Sequence, residues 1–437
     1  TSKMNIPDSD LKRIVIIGGG FAGISLAKKL RNKNYQVVMM DKHNYHTFQP
    51  LLYQVATGGL EPDSIAYPIR KVIKEYKDFY FRLGDVKEID ATNNRIIADI
   101  GDLHYDYLVV ATGTKTNYFG NKEIERNSMS MKTIPQSLNI RSLILESFEA
   151  ALLTDDEAER ESLMNFVLVG GGPTGVELAG ALAEMKKAVL PKDYPDLDIN
   201  RMQIHLVQSG ERILDTMSEK SSIEAEKFLT KLGVHVHKNV RVTGYDSVVV
   251  STNTDLEFHS STVIWTAGVA GKLVSGLNKD AIFERIDRIK VDSQNKVNGY
   301  ENIFAIGDIC IMETAKYPKG HPQMAQAAMQ QGSLLAENLI NLQNNKPLKA
   351  FEYKDKGSMA TIGRNKAVVD LPKFHFSGVF AWFVWMFVHL ISLIGFKNKA
   401  VVFLNWVYNY IRFDREARLI IRPYKKKMQQ SFTTDEV

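Results

Sequence analysis

The sequence predicts an α/β fold with two parallel-sheet units of the same construction, followed by an aromatic C-terminal region. Residues 13–30, RIVIIGGGFAGISLAKKL, and residues 166–183, FVLVGGGPTGVELAGALA, each show the order buried strand, glycine turn and helix. These segments begin about 150 residues apart, which indicates two βαβ units of related construction. Residues 376–396, FSGVFAWFVWMFVHLISLIGF, contain no Lys, Arg, Asp or Glu, so the chain changes character near its C-terminus.

Other short apolar runs predict the remaining strands of the two units. They are bounded by Gly, Asp or Ser, as buried strands of parallel sheets usually are. A helix is predicted where apolar and polar residues recur with helical spacing, at residues 321–340. The predicted strands are residues 35–41, 105–114, 203–209, 261–269 and 302–308.

The composition predicts a folded protein with a basic C-terminus. The chain of 437 residues has 44% hydrophobic and 24% charged residues, as folded proteins of two or three domains have. Its net charge of +5 is uneven, because nine Lys or Arg stand against two acids between Lys397 and Lys427. This asymmetry favours an anionic lipid bilayer surface as a partner. No nucleic-acid partner is expected, since no binding motif for one is present.

Cysteine use and the first residues bear on the compartment. Cys310 is the only cysteine, which excludes a disulfide within the chain and favours a reducing compartment. The first residues, TSKMNIPDSDLKR, show neither an apolar signal-peptide core nor an Arg-rich amphipathic pattern. We therefore expect a protein on the cytoplasmic face of the cell membrane, attached in a peripheral or monotopic manner.

The first glycine motif predicts a dinucleotide site. Gly18, Gly20 and Gly23 form G-x-G-x-x-G between the first strand and its helix. The first glycine permits a tight turn, the second lets the backbone approach a pyrophosphate, and the third permits close packing of helix on strand. The helix N-terminus would bind the pyrophosphate through free N–H groups. Asp41 ends the second strand 18 residues after Gly23, where an acid accepts hydrogen bonds from a ribose.

The second glycine motif repeats this pattern without the acid. Gly170, Gly172 and Gly175 again lie between strand and helix, but Gln208 ends the following strand. An amide can hydrogen-bond a ribose and, unlike a carboxylate, does not repel a 2′-phosphate. Two nearby residues could contact such a phosphate, Ser209 and Arg212. Two interpretations stay open. The site binds NADH through this neutral residue, or it also accepts NADPH.

The arrangement of motifs resembles the two-dinucleotide-binding flavoproteins of the glutathione-reductase fold, over about residues 11–340. In that family the first site holds FAD and the inserted second site holds NAD(P)H. Gly307 and Asp308, in IFAIGD, resemble the second FAD motif, whose Asp binds the ribityl chain. No covalent flavin link and no metal site are predicted. The turns that resemble the domain crossovers of the family are Ala111-Thr112-Gly113 and Thr266-Ala267-Gly268.

The resemblance implies an α/β fold class with two Rossmann-like dinucleotide-binding domains, for FAD and NAD(P)H, plus a C-terminal amphipathic membrane-anchoring region. The FAD-binding domain would be discontinuous, with the NAD(P)H-binding domain inserted between its two parts. The predicted ranges are 1–120 for the first FAD part, 121–270 for the NAD(P)H domain, 271–345 for the second FAD part and 346–437 for the membrane-associating region.

The route by which electrons leave distinguishes members of this group. Disulfide reductases and sulfide–quinone oxidoreductases need a pair of cysteines, so Cys310 alone excludes both. Gln326 and Gln330 lie at i and i+4 of the predicted helix, on one face with small Ala side chains. A primary amide can hydrogen-bond a carbonyl without exchanging protons or electrons, which suits a quinone. This stretch, AQAAMQ, resembles the A-Q-x-A-x-Q quinone-site motif of type II NADH dehydrogenases, the non-proton-pumping NADH:quinone oxidoreductases.

Further segments extend that resemblance to nearly the whole chain. Glu177 stands at the position of the family's acid near the nicotinamide, which implies a ribose contact or proton supply toward the quinone. An acid in the first turn of a helix is also favoured by the helix dipole alone. Gln208 departs from the family, because NADH-specific members usually carry Glu there. The resembling segments are residues 46–60, 172–184, 356–364 and 393–399.

The resemblance implies the following site residues. Catalytic roles fall to Glu177, Gln326 and Gln330. Contacts with non-covalent FAD fall to Gly18, Gly20, Phe21, Ala22, Gly23, Asp41, Lys42, Gln49, Ala111, Thr112, Gly113, Gly307, Asp308, Ala325 and Gln326. Contacts with NAD(P)H fall to Gly170, Gly172, Pro173, Thr174, Gly175, Glu177, Gln208, Ser209, Arg212, Ala267 and Gly268.

The implied function is hydride transfer from NADH, with NADPH as an open addition, to FAD, and transfer of two electrons on to a membrane quinone without proton pumping. Two alternatives remain. A soluble flavin reductase would deliver electrons to oxygen or an iron–sulfur protein, but it leaves the aromatic C-terminal region without a purpose. A slow membrane-attached flavoprotein that senses NAD(H) would be reduced by NADH but barely reoxidised by quinone.

Residues 376–396, taken as one helix at ~1.5 Å per residue, would be about 30 Å long, near the thickness of a bilayer core. A crossing would place the basic segment 397–427 on the far side, against the positive-inside tendency. Residues 401–413 are too short to cross back. They predict an interfacial helix with Asn405, Asn409 and Arg412 on one face and Trp406, Tyr410 and Phe413 elsewhere, on an aromatic surface. We therefore expect a monotopic anchor and a homodimer, with a span or a buried dimer contact still open.

Overall fold

The computed structural model describes residues 3–421, which form two compact units. The first unit holds residues 3–47, 66–115 and 269–356, and the second holds residues 48–65, 116–268 and 357–421. Each unit is therefore assembled from three separate stretches of the chain. The assignment of cofactors to the predicted domain ranges stays a prediction.

The helices, numbered in chain order, are α1 (Phe21–Lys29), α2 (Leu52–Ala56), α3 (Ile69–Ile73), α4 (Lys122–Asn127), α5 (Ile134–Leu153), α6 (Glu157–Met164), α7 (Pro173–Glu184), α8 (Leu190–Asp193), α9 (Glu219–Lys231), α10 (Ala325–Gln343), α11 (Val379–Ser392) and α12 (Phe396–Arg412).

The strands are β1 (Arg13–Ile17), β2 (Gln36–Asp41), β3 (Tyr45–Thr47), β4 (Ala66–Pro68), β5 (Phe79–Leu83), β6 (Val86–Asp90), β7 (Arg95–Ala98), β8 (Gly101–His104), β9 (Tyr107–Val110), β10 (Thr114–Thr116), β11 (Met129–Ser130), β12 (Asn165–Val169), β13 (Gln203–Val207), β14 (Val234–His237), β15 (Val242–Tyr245), β16 (Val249–Thr252), β17 (Glu257–His259), β18 (Thr262–Trp265), β19 (Val269–Gly271), β20 (Ile282–Phe283), β21 (Arg288–Lys290), β22 (Ile303–Ala305), β23 (Cys310–Ile311), β24 (Ser358–Thr361), β25 (Ala367–Asp370) and β26 (His375–Ser377).

A five-stranded parallel sheet forms the core of the first unit, in the order β22-β9-β1-β2-β5. Ile14 of β1 lies opposite Val37 of β2 and Tyr107 of β9. The strands are almost wholly apolar because both faces of the sheet are covered. The antiparallel sheet β6-β7-β8 packs against one face through residues such as Ile89 and Leu103. The predicted order of strand, glycine turn and helix over residues 13–30 is confirmed.

Helix α10 packs directly on α1 within this unit. A Cβ on Gly332 would lie 2.4 Å from the carbonyl oxygen of Ala22, so only glycine permits this approach. The Tyr35 hydroxyl donates to the Leu339 carbonyl oxygen at 2.7 Å, close to the end of the same helix. The start of α10 is thereby held beside the first glycine loop.

The second unit contains a parallel sheet of the same kind, in the order β11-β18-β12-β13-β14. Phe166 of β12 lies opposite Ile204 of β13 and Thr262 of β18. Helix α7 follows the second glycine turn, which confirms the predicted repeat, and it continues through a π-helical turn at Met185–Val189. This turn lengthens the helix before α8 begins.

The aromatic stretch at residues 376–396 does not form one helix. Its first residues belong to β26, and α11 contributes 14 residues, about 21 Å at ~1.5 Å per residue. Gly378 (φ +89°) and Gly395 (φ +86°) break the helix on either side of α11. Their positive φ angles lie in a region that favours glycine. A helix of both the length and the hydropathy that a membrane crossing requires is absent from residues 3–421.

Helix α12 turns apolar side chains outward. Phe396, Leu404 and Ile411 are 88%, 63% and 70% exposed. The predicted aromatic surface is wrong at Trp406, which is buried and donates to Gln54 Oε1 at 2.8 Å, whereas Tyr410 and Phe413 are exposed. Asn409, predicted on the same face as Asn405 and Arg412, donates to the Gly59 carbonyl oxygen at 3.1 Å. Residues 422–427 of the predicted basic segment lie outside the described residues.

Candidate functional site

The first glycine loop brings helix and strand closer than any side chain permits. A Cβ on Gly18 (φ +111°) would lie 2.2 Å from the Ala111 carbonyl oxygen, and one on Gly23 would lie 2.0 Å from the Gly18 carbonyl oxygen. A Cβ on Gly20 would meet no atom within 4 Å, so the N-terminus of α1 faces open space. A negatively charged group could approach the N–H groups of the helix there.

Asp41 is fixed at this loop by the backbone. Its Oδ2 accepts from the Gly19 N–H at 2.6 Å, and its Oδ1 accepts from the His43 N–H at 2.8 Å. Both bonds orient the carboxylate at the carboxyl end of β2, where a ribose is bound in sites of this kind. The neighbouring Lys42 lies 3.1 Å from Asp85 in an ion pair.

Gly307 and the start of α10 lie beside the same loop. A Cβ on Gly307 would be 3.0 Å from the Ala22 Cβ, and the Gly307 N–H donates to Gln331 Oε1 at 2.7 Å. Gln323 donates to the Asp308 carbonyl oxygen at 3.2 Å. Helix α10 begins here, at Ala325. The structure therefore brings together the residues predicted from both FAD motifs.

Two other residues that were predicted to contact FAD, Thr112 and Gln49, lie outside the first glycine loop. Thr112 lies in the crossover turn of the first unit, where its hydroxyl donates to the Lys272 carbonyl oxygen at 2.6 Å. The turn also includes Ala111, whose N–H donates to the Ile17 carbonyl oxygen at 2.8 Å, and Gly113 (φ +68°). Gln49 belongs to the second unit, where it opens a short 3-10 turn.

His46 was not among the predicted site residues, although it lies at the first glycine loop. It is 3% exposed, and its Nδ1 lies 3.0 Å from the Gly19 carbonyl oxygen. Burial lowers its pKa, so the ring is neutral, Nδ1–H donates, and Nε2 keeps a lone pair. Within residues 3–421 this buried Nε2 has no hydrogen-bond partner. An edge-on contact to Phe21, with ring centroids 5.0 Å apart, holds the ring in place.

The second glycine loop repeats the geometry of the first. A Cβ on Gly175 would lie 1.9 Å from the Gly170 carbonyl oxygen, whereas one on Gly172 would meet no atom within 4 Å. Gln208 Oε1 accepts from the Gly171 N–H at 2.9 Å, as Asp41 does at the first loop. The Gln208 amide thus has the same position at the second loop as the Asp41 carboxylate has at the first.

The side chains predicted to reach a 2′-phosphate differ in availability. Ser209 is exposed next to Gln208. The Arg212 guanidinium already donates to the carbonyl oxygens of Met217 at 2.8 Å and Asp215 at 2.7 Å. Arg212 would have to leave at least one of these acceptors to bind a phosphate.

The remaining predicted nucleotide residues line the edges of the loop. Pro173 and Thr174 are exposed in the first turn of α7. The Ala267 carbonyl oxygen accepts from the Trp265 indole at 2.8 Å, and a Cβ on Gly268 (φ +81°) would collide with the Phe119 ring. The crossover turn is therefore shaped by packing as well as by any nucleotide.

The second unit contains a cavity of about 760 Å³, within the size range of small-molecule sites. Its walls come from α7, the π-helical turn, residues 361–366, α11 and α12. Six aromatic rings contribute to the lining, beside nine charged side chains, and such rings suit a planar ligand. These rings belong to Tyr53, Trp382, Trp385, Trp406, Tyr410 and Phe413.

Glu177 is buried in the wall of this cavity. Its Oε1 accepts from the Thr361 N–H at 3.4 Å. Burial raises the pKa of Glu177 to about 8, and the Thr361 N–H and the Trp385 indole lower it by less. At neutral pH the carboxyl group is therefore mostly protonated and can supply a proton.

The side-chain amides of Gln326 and Gln330 form hydrogen bonds with backbone groups of the first unit. Gln330 donates to the Lys354 carbonyl oxygen and accepts from the Lys354 N–H, both at 2.9 Å. Gln326 Oε1 accepts from the Lys356 N–H at 3.0 Å. Asn338, on the same helix, forms an equivalent reciprocal pair with Lys349 at 2.9 and 2.8 Å. The pair predicted for quinone thus also holds the extended chain that follows α10.

Comparison with known proteins agrees with this geometry. The family model "Pyridine nucleotide-disulphide oxidoreductase" matches residues 12–332, and the model "NDH2 C-terminal domain" matches residues 356–415. The structure of NDH2 from Plasmodium falciparum in complex with NADH has a TM-score of 0.86 and covers 94% of this chain and 100% of that chain. At 22% identity this likeness supports the fold.

Curated relatives are closer in sequence. The type II NADH:quinone oxidoreductase NdhA of Mycobacterium tuberculosis is 34% identical over 91% of this chain and 87% of its own length. The enzyme Ndh of the same organism is 35% identical over 92% of this chain and 89% of its own length. The predicted α/β fold class and family are confirmed. The chain belongs to the type II NADH:quinone oxidoreductases.

Proposed function

We propose that the quinone which accepts the electrons of this oxidoreductase occupies the cavity beside Glu177. The chain is an FAD-dependent NADH:quinone oxidoreductase that does not pump protons, and its family membership supports this reaction. The observation that carries the quinone site is a ring-lined cavity with a buried, mostly protonated carboxylic acid in its wall. Quinone reduction consumes protons as well as electrons, and such an acid can supply one.

The first glycine loop would hold FAD without a covalent link. When bound, FAD supplies the acceptor for a hydride and the donor of two electrons. The open N-terminus of α1 fits a pyrophosphate, the oriented Asp41 fits a ribose, and Asp308 would meet the ribityl chain. The Nε2 of His46, which has no hydrogen-bond partner within residues 3–421, supports a polar ligand at this loop.

The second glycine loop would hold the nicotinamide nucleotide. Its pyrophosphate would bind at the N-terminus of α7 beside Gly172, and Gln208 would meet the adenosine ribose. Because Gln208 carries no charge, we propose that NADPH is accepted as well as NADH. The engagement of Arg212 by two carbonyl groups implies that NADPH is the weaker donor.

The nucleotide preference is testable through Gln208. Gln208→Glu should raise the ratio of kcat/KM for NADH to that for NADPH by about tenfold, because a carboxylate repels a 2′-phosphate a few ångströms away. The measurement is steady-state turnover with each nucleotide and one quinone. A wild-type protein that already shows negligible turnover with NADPH would contradict its acceptance.

Glu177 would act as the proton donor to the quinone. Its carboxyl group is protonated below a pKa of about 8 and loses its proton above it. We therefore expect the rate of flavin reoxidation by quinone to fall as the pH rises through about 8. Glu177→Gln should slow this half-reaction by about a hundredfold at neutral pH and remove the break near pH 8.

The test is anaerobic stopped-flow spectroscopy of flavin recolouring by a quinone analogue across this pH range. Flavin bleaching by NADH serves as an internal control, and Glu219→Gln, an exposed acid in the first turn of α9, serves as the matched variant. A pH profile of Glu177→Gln that coincides with the wild-type profile would rule out this proton donor.

The resemblance, and not the cavity lining, supports a contact of Gln330 with the quinone, in addition to the bonds of Gln330 with Lys354. Gln330→Leu should slow flavin reoxidation by quinone and leave the reduction of the flavin by NADH intact. Because Leu also removes two backbone hydrogen bonds, Asn338→Leu is the matched control, since it removes an equivalent pair on the same helix. Equal slowing in both variants would indicate a structural effect, and no slowing in either would remove the proposed contact.

The outward apolar faces of α11 and α12 support peripheral attachment to a membrane. Phe380 and Phe387 of α11 are 69% and 64% exposed. Exposed Lys397 lies in the first turn of α12 and would favour anionic lipid. We place this surface on the cytoplasmic face of the cell membrane, where NADH is available. Fractionation of intact and opened membrane vesicles with protease would check that side.

Attachment is testable on α11. The double variant Phe380→Ser, Phe387→Ser should weaken binding to vesicles that contain anionic phospholipid by at least about tenfold, because two apolar side chains leave the interface. Reduction of soluble ferricyanide should be unchanged. Phe119→Ser, which alters a 68% exposed ring outside these helices, is the control. Wild-type vesicle binding by the double variant would contradict attachment through α11.

The homodimer implied by the resemblance is also proposed. The exposed apolar surface of α11 and α12 supports it, because a second copy could cover part of that surface. Sedimentation equilibrium in mild detergent would show a mass of one chain if the proposal is wrong.

A further inference from the structure

Arg364 occupies an unusual position in the wall of the cavity. Its guanidinium carbon lies 3.7 Å from the centroid of the Tyr410 ring and 3.6 Å from the centroid of the Phe413 ring. Both distances are well inside the ~6 Å limit of a cation–π contact. The two rings, from α12 and its C-cap, therefore hold the guanidinium between them.

Two N–H groups of Arg364 lack an acceptor in the part of the chain that the structure describes. Arg364 Nε and Nη1 are buried and have no hydrogen-bond partner within residues 3–421. Glu184, a carboxylate that also lines the cavity, is already engaged, because it accepts from the backbone N–H of Arg364 and pairs with Arg415 at 3.1 Å. A buried donor without an acceptor is costly, and a guanidinium cannot lose its proton to avoid that cost.

We propose that Arg364 donates hydrogen bonds to a carbonyl oxygen of the quinone. This inference rests on the proposed quinone site and names the residue that orients the ring within it. A quinone oxygen gains negative charge as electrons arrive, and a fixed guanidinium stabilises that charge without giving up a proton. Arg364 would then stabilise the negative charge on the quinone oxygen, and Glu177 would supply a proton.

The rings in the cavity lining favour a quinone at this position. Six basic and three acidic side chains contribute to the lining, so its charge accommodates an anion as well as a neutral ligand. The rings distinguish the two, because a quinone has a planar ring that can stack on the cavity tryptophans Trp382 and Trp385, and a phosphate has none. The aromatic part of the cavity therefore favours a flat ligand that accepts hydrogen bonds.

Two variants at Arg364 test the proposal. Arg364→Met keeps an apolar chain between the two rings and removes the donors, so flavin reoxidation by a short-chain quinone should slow about ten- to hundredfold. Arg364→Lys keeps the charge but not the planar fork, so it should fall between Met and wild type. Bound FAD and the rate of flavin bleaching by NADH should match wild type in both. Arg126→Met, at an exposed position in α4, is the control for loss of one positive charge.

The outcomes separate this inference from the proposed function. Wild-type reoxidation rates in Arg364→Met, with FAD bound and bleaching intact, would overturn the role of Arg364 and leave the quinone site standing. Equal losses in both half-reactions for both variants would also overturn it, because they would indicate a packing role. Competition by inorganic phosphate against quinone in the wild type, lost in Arg364→Met, would assign a phosphate ligand instead. A wild-type flavin that NADH bleaches and no quinone recolours would overturn the proposed function itself.

Discussion

Both units depend on one steric constraint. In each of them a helical glycine contacts the carbonyl oxygen of the glycine that follows the preceding strand. Cβ atoms at Gly23 and Gly175 would stand 2.0 and 1.9 Å from those oxygens. Because no side chain fits, each helix lies directly against its strand, and its N-terminus is fixed at the carboxyl end of the sheet. The placement of Asp41 and Gln208 follows, since each side chain accepts from the loop N–H between strand and helix.

The electrostatics of the second unit rest on groups that are kept away from water. Glu177 is mostly neutral at pH 7 because burial disfavours its charge, while Glu184 in the same cavity pairs with Arg415 at 3.1 Å. One cavity thus holds a protonated acid that can release a proton and a second acid that is engaged in an ion pair. Such a division is typical of sites in which two carboxyl groups have different tasks.

The sequence predicted the parts of the site that are local. Gly18 to Gly23 and Gly170 to Gly175 are contiguous motifs, and their geometry is confirmed. The cavity could not be predicted, because its lining runs from Tyr53 to Arg415 and depends on tertiary packing. Residues 376–396 do not form one helix, because Gly378 and Gly395 have positive φ angles. A hydropathy pattern gives no sign of such breaks. The burial of Trp406 was not predicted because periodicity cannot tell which partner each face of α12 meets.

The orientation of α12 has a consequence for the protein outside a membrane. Trp406 and Asn409 anchor the inner side of the helix through hydrogen bonds to Gln54 and Gly59. Rolling the helix to hide Phe396 and Ile411 from water would break both bonds and expose buried Val402. The protein therefore cannot adapt to aqueous solution by local rearrangement. Its solubility during purification depends on the detergent or lipid that covers this apolar surface. Removal of that detergent or lipid should lead to self-association before it leads to unfolding.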